Sequence, residues 1–241
     1  MRLLVTRPEP DASREAETLI ARGHEPVLAP LLAIEFVSGV TLGLAGAQAL
    51  IVTSRNALRA LASHRELEAA RKLPLFAVGE ATASAATKLG FAKVTQGPGT
   101  ASGLPGLIGG TLSPEDGPLV HLAAETVAFE LEAALRVEGF SLRQPVLYRA
   151  LPARDFPAEA LRLLKAGELD GAILMSPRTA KTFVQLLDRH GVVTQGKRVV
   201  CYCLSEAVAE VLAPLGIWVR VAANPREEDV LALLDSEAAS S

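Results

Sequence analysis

AVGEATASAATKLG at residues 77–90 and CLSEAVAEVLAPLG at residues 203–216 are one unit written twice, 126 residues apart. Each leaves an apolar strand, turns at Gly79 or Ser205, runs through a helix of small apolar residues and stops at a glycine. The same offset carries Leu104 onto Val230 in the next amphipathic stretch. Upstream, IVTSRNALRALA (51–62) lies over ILMSPRTAKTFV (173–184) at an offset of 122, and the difference falls in a loop, where insertions are tolerated. A second repeat type pairs residues 3–32 with 119–148 at an offset of 116, placing Gly23 over Gly139 and Leu19 over Leu135. The chain therefore reads A, B, A′, B′.

Four stretches share one ending: TLIARGHEPVLAP (18–30), ATKLGFAKVT (86–95), ALRVEGFSLRQPVLY (134–148) and VLAPLGIWVRV (211–221). In each, a helix closes on glycine, the residue that takes the left-handed conformation without a Cβ penalty, and a strand begins at once. Four such helix-to-strand joints predict parallel sheets rather than hairpins. Ser54 is read as a helix N-cap, with Ala57, Leu58 and Leu61 as the apolar face behind it. The expected fold is α/β: two similar doubly wound parallel-sheet domains joined by a two-stranded β hinge. The pattern does not say which A unit completes which B unit. Consecutive pairing gives domains of about 1–110 and 117–241. Crossed pairing gives 1–34 with 150–241 as one discontinuous domain and 37–146 as the other. The extended stretches near 33–38 and 146–153 would then pair as the hinge. The tail after Leu234, DSEAASS, reads as frayed.

Composition narrows the function. The 241 residues are 49% apolar but only 4% aromatic, so the cores must rest on Leu, Val, Ala and Ile. With 24 basic and 27 acidic residues, the net charge of −3 implies neither a nucleic-acid groove nor a polybasic membrane surface. The N-terminal apolar run breaks at Thr6 and Arg7, too early for a signal peptide or a span, so a cytoplasmic location and no membrane partner are expected. Cys201 and Cys203 are read as small buried side chains, pointing to opposite faces of a strand, rather than as a disulfide or a metal knuckle. His24, His64, His121 and His190 are scattered without ligand spacing, and no metal site is expected. There is no GxGxxG after the first strand, no Walker loop, no GxSxG and no HExxH. GPGTASGLPG (97–106) lacks the lysine of a phosphate loop and is read as a turn.

Ligands of open parallel sheets bind outside the carboxyl ends of the strands. The residues there are Thr6 and Arg7; Thr53 to Asn56, with Ser54 and Asn56 foremost; Gly79, Ala81 and Thr82; Ala123 and Glu125; Ser176; and Ser205 and Ala207. These junctions open helices, so free N–H groups and the positive dipole end make each a potential anion site. Two facing sets would suit a large ligand with several negative groups. The plainer reading is that each Ser or Thr is only an N-cap, and that Gly79 only permits close packing. Recurrence of one junction type in both halves favours the functional reading. Tyr148, whose repeat counterpart is Leu32, breaks the symmetry at the end of the QPVL strand. Its phenol is either a proton donor to a leaving group or a packing group beside the hinge.

Taken in order, Thr6-Arg7-Pro8, PLLAIEF (30–36), the Thr53–Asn56 junction, AVGEATA (77–83), LYR (147–149) and the late Ser176-Pro177 make the chain resemble the uroporphyrinogen-III synthase family. The likeness covers nearly the whole chain. It implies crossed domain pairing, and as substrate hydroxymethylbilane, a linear tetrapyrrole with eight carboxylates. The implied reaction closes the ring with loss of water and inversion of the last pyrrole, a lyase chemistry without metal or cofactor. The proposed route passes through an azafulvene and a spiro intermediate, so the enzyme acts largely by positioning. Tyr148 matches the family tyrosine proposed to assist departure of the hydroxyl, and Ser54, Thr82 and Ser176 match polar positions that line the site. Ser205 stands where the family often has glycine, and Ala207 and Val208 where threonines are common, so backbone amides rather than side chains would serve there. A monomer is expected. The rival readings are a non-enzymatic two-domain binder of an anionic small molecule and a nucleotide-using enzyme, the latter disfavoured by the missing phosphate loop.

Overall fold

The computed structural model describes residues 1–126 and 129–238. Strands in the first half are β1 (Arg2–Val5), β2 (Glu25–Leu28), β3 (Leu32–Phe36), β4 (Ala49–Val52), β5 (Leu75–Ala77) and β6 (Val94–Gln96). Those that follow are β7 (Leu119–His121), β8 (Ala123–Ala124), β9 (Leu142–Arg143), β10 (Val146–Pro152), β11 (Gly171–Leu174), β12 (Val200–Cys203) and β13 (Val219–Val221). The helices are α1 (Asp11–Ala21), α2 (Arg55–Ala62), α3 (Leu67–Ala70), α4 (Glu80–Lys88), α5 (Leu104–Gly109) and α6 (Leu131–Val137). They continue with α7 (Ala158–Ala166), α8 (Pro177–Arg189), α9 (Val193–Gly196), α10 (Glu206–Leu212) and α11 (Glu227–Ala238).

The chain divides into two compact units, Met1–Ala33 with the chain from Leu151 onward, and Ile34–Ala150. The first unit holds a five-stranded sheet of order β13-β12-β11-β1-β2, parallel throughout. The second holds a five-stranded parallel sheet of order β6-β5-β4-β7-β9. These are one order in two copies: the three strands of a B unit, then the two of an A unit. In the first unit β1 lies between β2 and β11, with Val5 opposite Leu28 and Ile173, and strands β3 to β10 belong to the other two sheets.

Both sheets are covered on both faces, as all-parallel strands require. Alternation along β1 sends Leu4 to one face, with Ala172, Leu174, Phe183 of α8 and Leu212 of α10. Leu3 and Val5 go to the other, with Leu19 of α1 and Val230 and Leu234 of α11. In the second unit Leu50 and Val52 pack with Ala57, Leu58 and Leu61 of α2, the face expected from the sequence. Ala49 and Ile51 pack with Leu104 and Ile108 of α5 and Leu131 and Leu135 of α6. Fully burying one such leucine contributes about 1.5–3 kcal/mol, so aliphatic side chains are enough to hold both sheets. The four joint glycines Gly23, Gly90, Gly139 and Gly216 all have positive φ, between 65° and 97°.

Four expectations need correction. The short extra sheet has three strands, β3-β10-β8, rather than two. After Leu122 the chain lays Ala123 and Ala124 parallel to β10, with the Ala123 N–H donating to Pro145 O at 3.0 Å and the Glu125 N–H to Tyr148 O at 2.9 Å. Cys201 and Cys203 share one face, because strand side chains alternate with a period of two; Tyr202 takes the opposite face. The glycine-rich 97–106 run is not all turn: a 3-10 turn at Ala101–Gly103 leads into α5, which buries Leu104 and Ile108. The tail is helical through Ala238, and its last three residues, 239–241, lie outside the described ones.

Candidate active site

The strand order places a topological switch in each sheet. In chain order the first unit reads 2-1-3-4-5, so its connections leave in opposite directions from β1 and β11, and the carboxyl ends of these neighbours frame a crevice. In the second unit the corresponding neighbours are β4 and β7.

At the first unit's edge, Thr6, Ser176 and Ser205 follow the adjacent strands β1, β11 and β12. Thr6 is fully buried and its hydroxyl donates to Ile173 O, a structural tie between β1 and β11. Ser176 caps α8: its Oγ accepts from the Thr179 N–H at 3.1 Å and lies 2.8 Å from Thr179 Oγ1. Ser205 stands at the N-cap of α10 in extended backbone but makes no side-chain cap bond, and Ala207 is exposed in the first turn. Arg7, 11% exposed, meets three acids: Glu227 at 2.7 Å, Glu15 at 3.6 Å and Asp11 at 3.9 Å. Its charge is therefore already balanced. Burial pushes Glu15 up to about 7 despite Arg7, and Glu15 Oε2 has no hydrogen-bond partner.

At the second unit's edge, Ser54 caps α2, accepting from the Asn56 N–H at 3.2 Å, and Asn56 Oδ1 accepts from Arg59 at 2.6 Å. Gly79 begins α4 with Ala81 exposed and Thr82 buried. A Cβ on Gly79 would stand 3.0 Å from Gly99 Cα, since the 97–99 loop bonds back to Ala77 O and Val78 O at 2.7 Å each. Close packing thus accounts for this glycine. Ala123 is buried in β8, whereas Glu125 is exposed and pairs with Arg149 at 2.8 Å.

Tyr148 lies within β10 rather than at a strand end, opposite Ala124. It is 7% exposed and packs in the cluster that holds Leu50, Val52 and Leu122.

His121, at the end of β7, is a further candidate that the sequence alone left among scattered histidines. Its ring lies 3.0 Å from Thr53 Oγ1 through Nε2 and 3.2 Å from Gln144 Nε2 through Nδ1. Burial pushes it down to about 4, so it is neutral at ordinary pH. The available signal was a polar residue at the carboxyl end of an otherwise apolar strand, PLVHLAA (118–124).

A family model described as "Uroporphyrinogen-III synthase HemD" matches residues 13–232. The chain belongs to the uroporphyrinogen-III synthase family. Members of that family are cyclising lyases of tetrapyrrole biosynthesis, which sets aside the reading of a binder without chemistry. The fold agrees with solved uroporphyrinogen-III synthases. The Helicobacter pylori structure superposes with a TM-score of 0.66 at 19% identity, covering 98% of each chain. A mutant uroporphyrinogen III synthase from Thermus thermophilus superposes with a TM-score of 0.59 at 18% identity, covering both chains fully. No curated protein matches significantly by sequence. Among the described residues no helix is long and apolar enough to cross a membrane.

Proposed function

We propose that this chain closes hydroxymethylbilane to uroporphyrinogen III, with loss of water and inversion of the last ring, and that the carboxyl-terminal edges of its sheets take up the substrate. The observation that carries the placement is the repeated edge. Ser54 and Ser176, at matching repeat positions, cap helices in two sheets of one strand order. A polycarboxylate suits the N–H groups at the starts of α2, α4 and α8 better than it suits Arg7, whose charge Asp11, Glu15 and Glu227 already meet. The contacts proposed are Thr6, Arg7, Ser54, Asn56, Gly79, Ala81, Thr82, Ala123, Glu125, Ser176, Ser205 and Ala207. Thr6, Gly79 and Ala123 would act through backbone. The chemistry asks for mild acid assistance to the departing hydroxyl and control of which carbon is attacked, so positioning does most of the work.

Tyr148 is the proposed proton donor, supported by the family resemblance and by its place on β10 beside Ala124. Tyr148→Phe is expected to slow turnover while leaving the melting temperature within a few degrees; unchanged turnover would remove the role. The domains are proposed as 1–34 with 150–241 and 37–146, hinged near 33–38 and 146–153, in a cytoplasmic monomer that needs no cofactor. The deciding assay gives purified protein freshly made hydroxymethylbilane and separates the isomers. Type III product is expected, and type I alone would overturn the reading.

A further inference from the structure

His121, Thr53 and Gln144 form a hydrogen-bonded chain at the switch point of the second unit, where the edge of β4 meets that of β7. Its direction follows from donor chemistry. The Gln144 amide nitrogen only donates, so His121 Nδ1 accepts, and the single proton of a neutral imidazole sits on Nε2. That proton is donated to Thr53 Oγ1. A hydroxyl that accepts from the ring keeps its own hydrogen for a second partner. Thr53 is only partly buried and directly precedes the N-cap of α2, whereas His121 is 2% exposed and cannot itself reach a ligand. The ring's neutrality, imposed by burial, keeps this polarity constant over the working pH range.

We propose that His121 is a positioning residue which, oriented by Gln144, presents Thr53 as a hydrogen-bond donor to an anionic oxygen of the substrate at the edge of β4. The inference rests on the proposed reaction and adds to it a side chain that binds and a buried one that sets its polarity. A purely structural reading, in which Thr53 only satisfies a buried ring, makes a different prediction for substrate affinity.

The test compares KM and kcat for type III formation in the full chain and in His121→Phe, His121→Gln, Thr53→Val and the His121→Phe/Thr53→Val double variant. Loss of a hydrogen bond to a charged group should raise KM about tenfold to a hundredfold in His121→Phe, with kcat changed much less. His121→Gln, whose amide reaches the Nε2 position, should recover most of the affinity. The double variant should bind no worse than Thr53→Val alone, because both changes remove one interaction. A His121→Phe protein with a lower melting temperature but a KM within twofold of the parent would overturn the inference, as would additive losses. If His121→Phe does not fold, Thr53→Val against Thr53→Ser decides: a raised KM in Val that Ser restores supports the inference, and equal KM values overturn it. Type I product from the parent protein would instead overturn the function reading, and this inference with it.

Discussion

Glu15→Gln should change how the first unit's stability responds to pH, and the structure sets both the sign and the size. Glu15 is 1% exposed on α1, faces Arg7, Asp11 and Glu227, and leaves Oε2 without a partner. Burial outweighs the attraction of Arg7 and lifts the carboxyl from an ordinary 4.5 to about 7. The folded chain therefore holds this proton more tightly than the unfolded chain does. The stabilisation is complete below pH 4.5 and is lost as pH rises through 7. At about 1.4 kcal/mol for each pH unit between those values, the loss is roughly 3 kcal/mol. Glutamine has the same shape and does not titrate. Relative to the parent, the variant should gain that amount between about pH 4.5 and 7.5, while groups common to both proteins cancel in the difference. Urea unfolding at several pH values, read by far-ultraviolet circular dichroism, measures it. A difference in stability that stays flat across this range, or slopes the other way, would refute the reasoning.

Gly171→Ala should destabilise the first unit by about 1–3 kcal/mol, since a Cβ there would stand 2.7 Å from the Tyr202 ring and 2.9 Å from Leu3; thermal unfolding checks this. Ser176→Ala should cost about 1 kcal/mol through loss of the α8 cap, whereas Ser205→Ala, which removes no cap bond, should leave stability nearly unchanged. His121→Phe should be less acid-sensitive than the parent. The buried neutral ring is depressed from 6.5 to about 4, so the parent loses stability as pH falls through that interval and the variant does not; denaturation at pH 7 and pH 4.5 compares them.

Much of this protein is legible along the chain because the governing forces are local. A glycine after a helix takes positive φ whatever surrounds it, and all four joint glycines do so. ALIV at β4 and GAIL at β11 carry apolar side chains to both faces, which only a covered parallel sheet accommodates. Ser54 and Ser176 are caps within three residues of the groups they bond. The ordered set of short motifs was likewise enough to reach the family.

Other features needed the folded chain, because they depend on groups brought together from distant positions. No periodicity says that β1, paired on one side with β2, takes β11 on the other rather than β4, since either pairing buries the same apolar faces. Arg7 stands at a strand-end junction with nothing nearby in sequence to show that Glu227, 220 residues away, holds it at 2.7 Å. His121 looked like one scattered histidine until Thr53 and Gln144 closed on its two ring nitrogens. The doubled strand–helix unit follows from backbone preference and hydrophobic alternation, which act over a few residues. The charge balance and hydrogen-bond direction at its edges follow from burial, and burial is settled only when the sheets assemble.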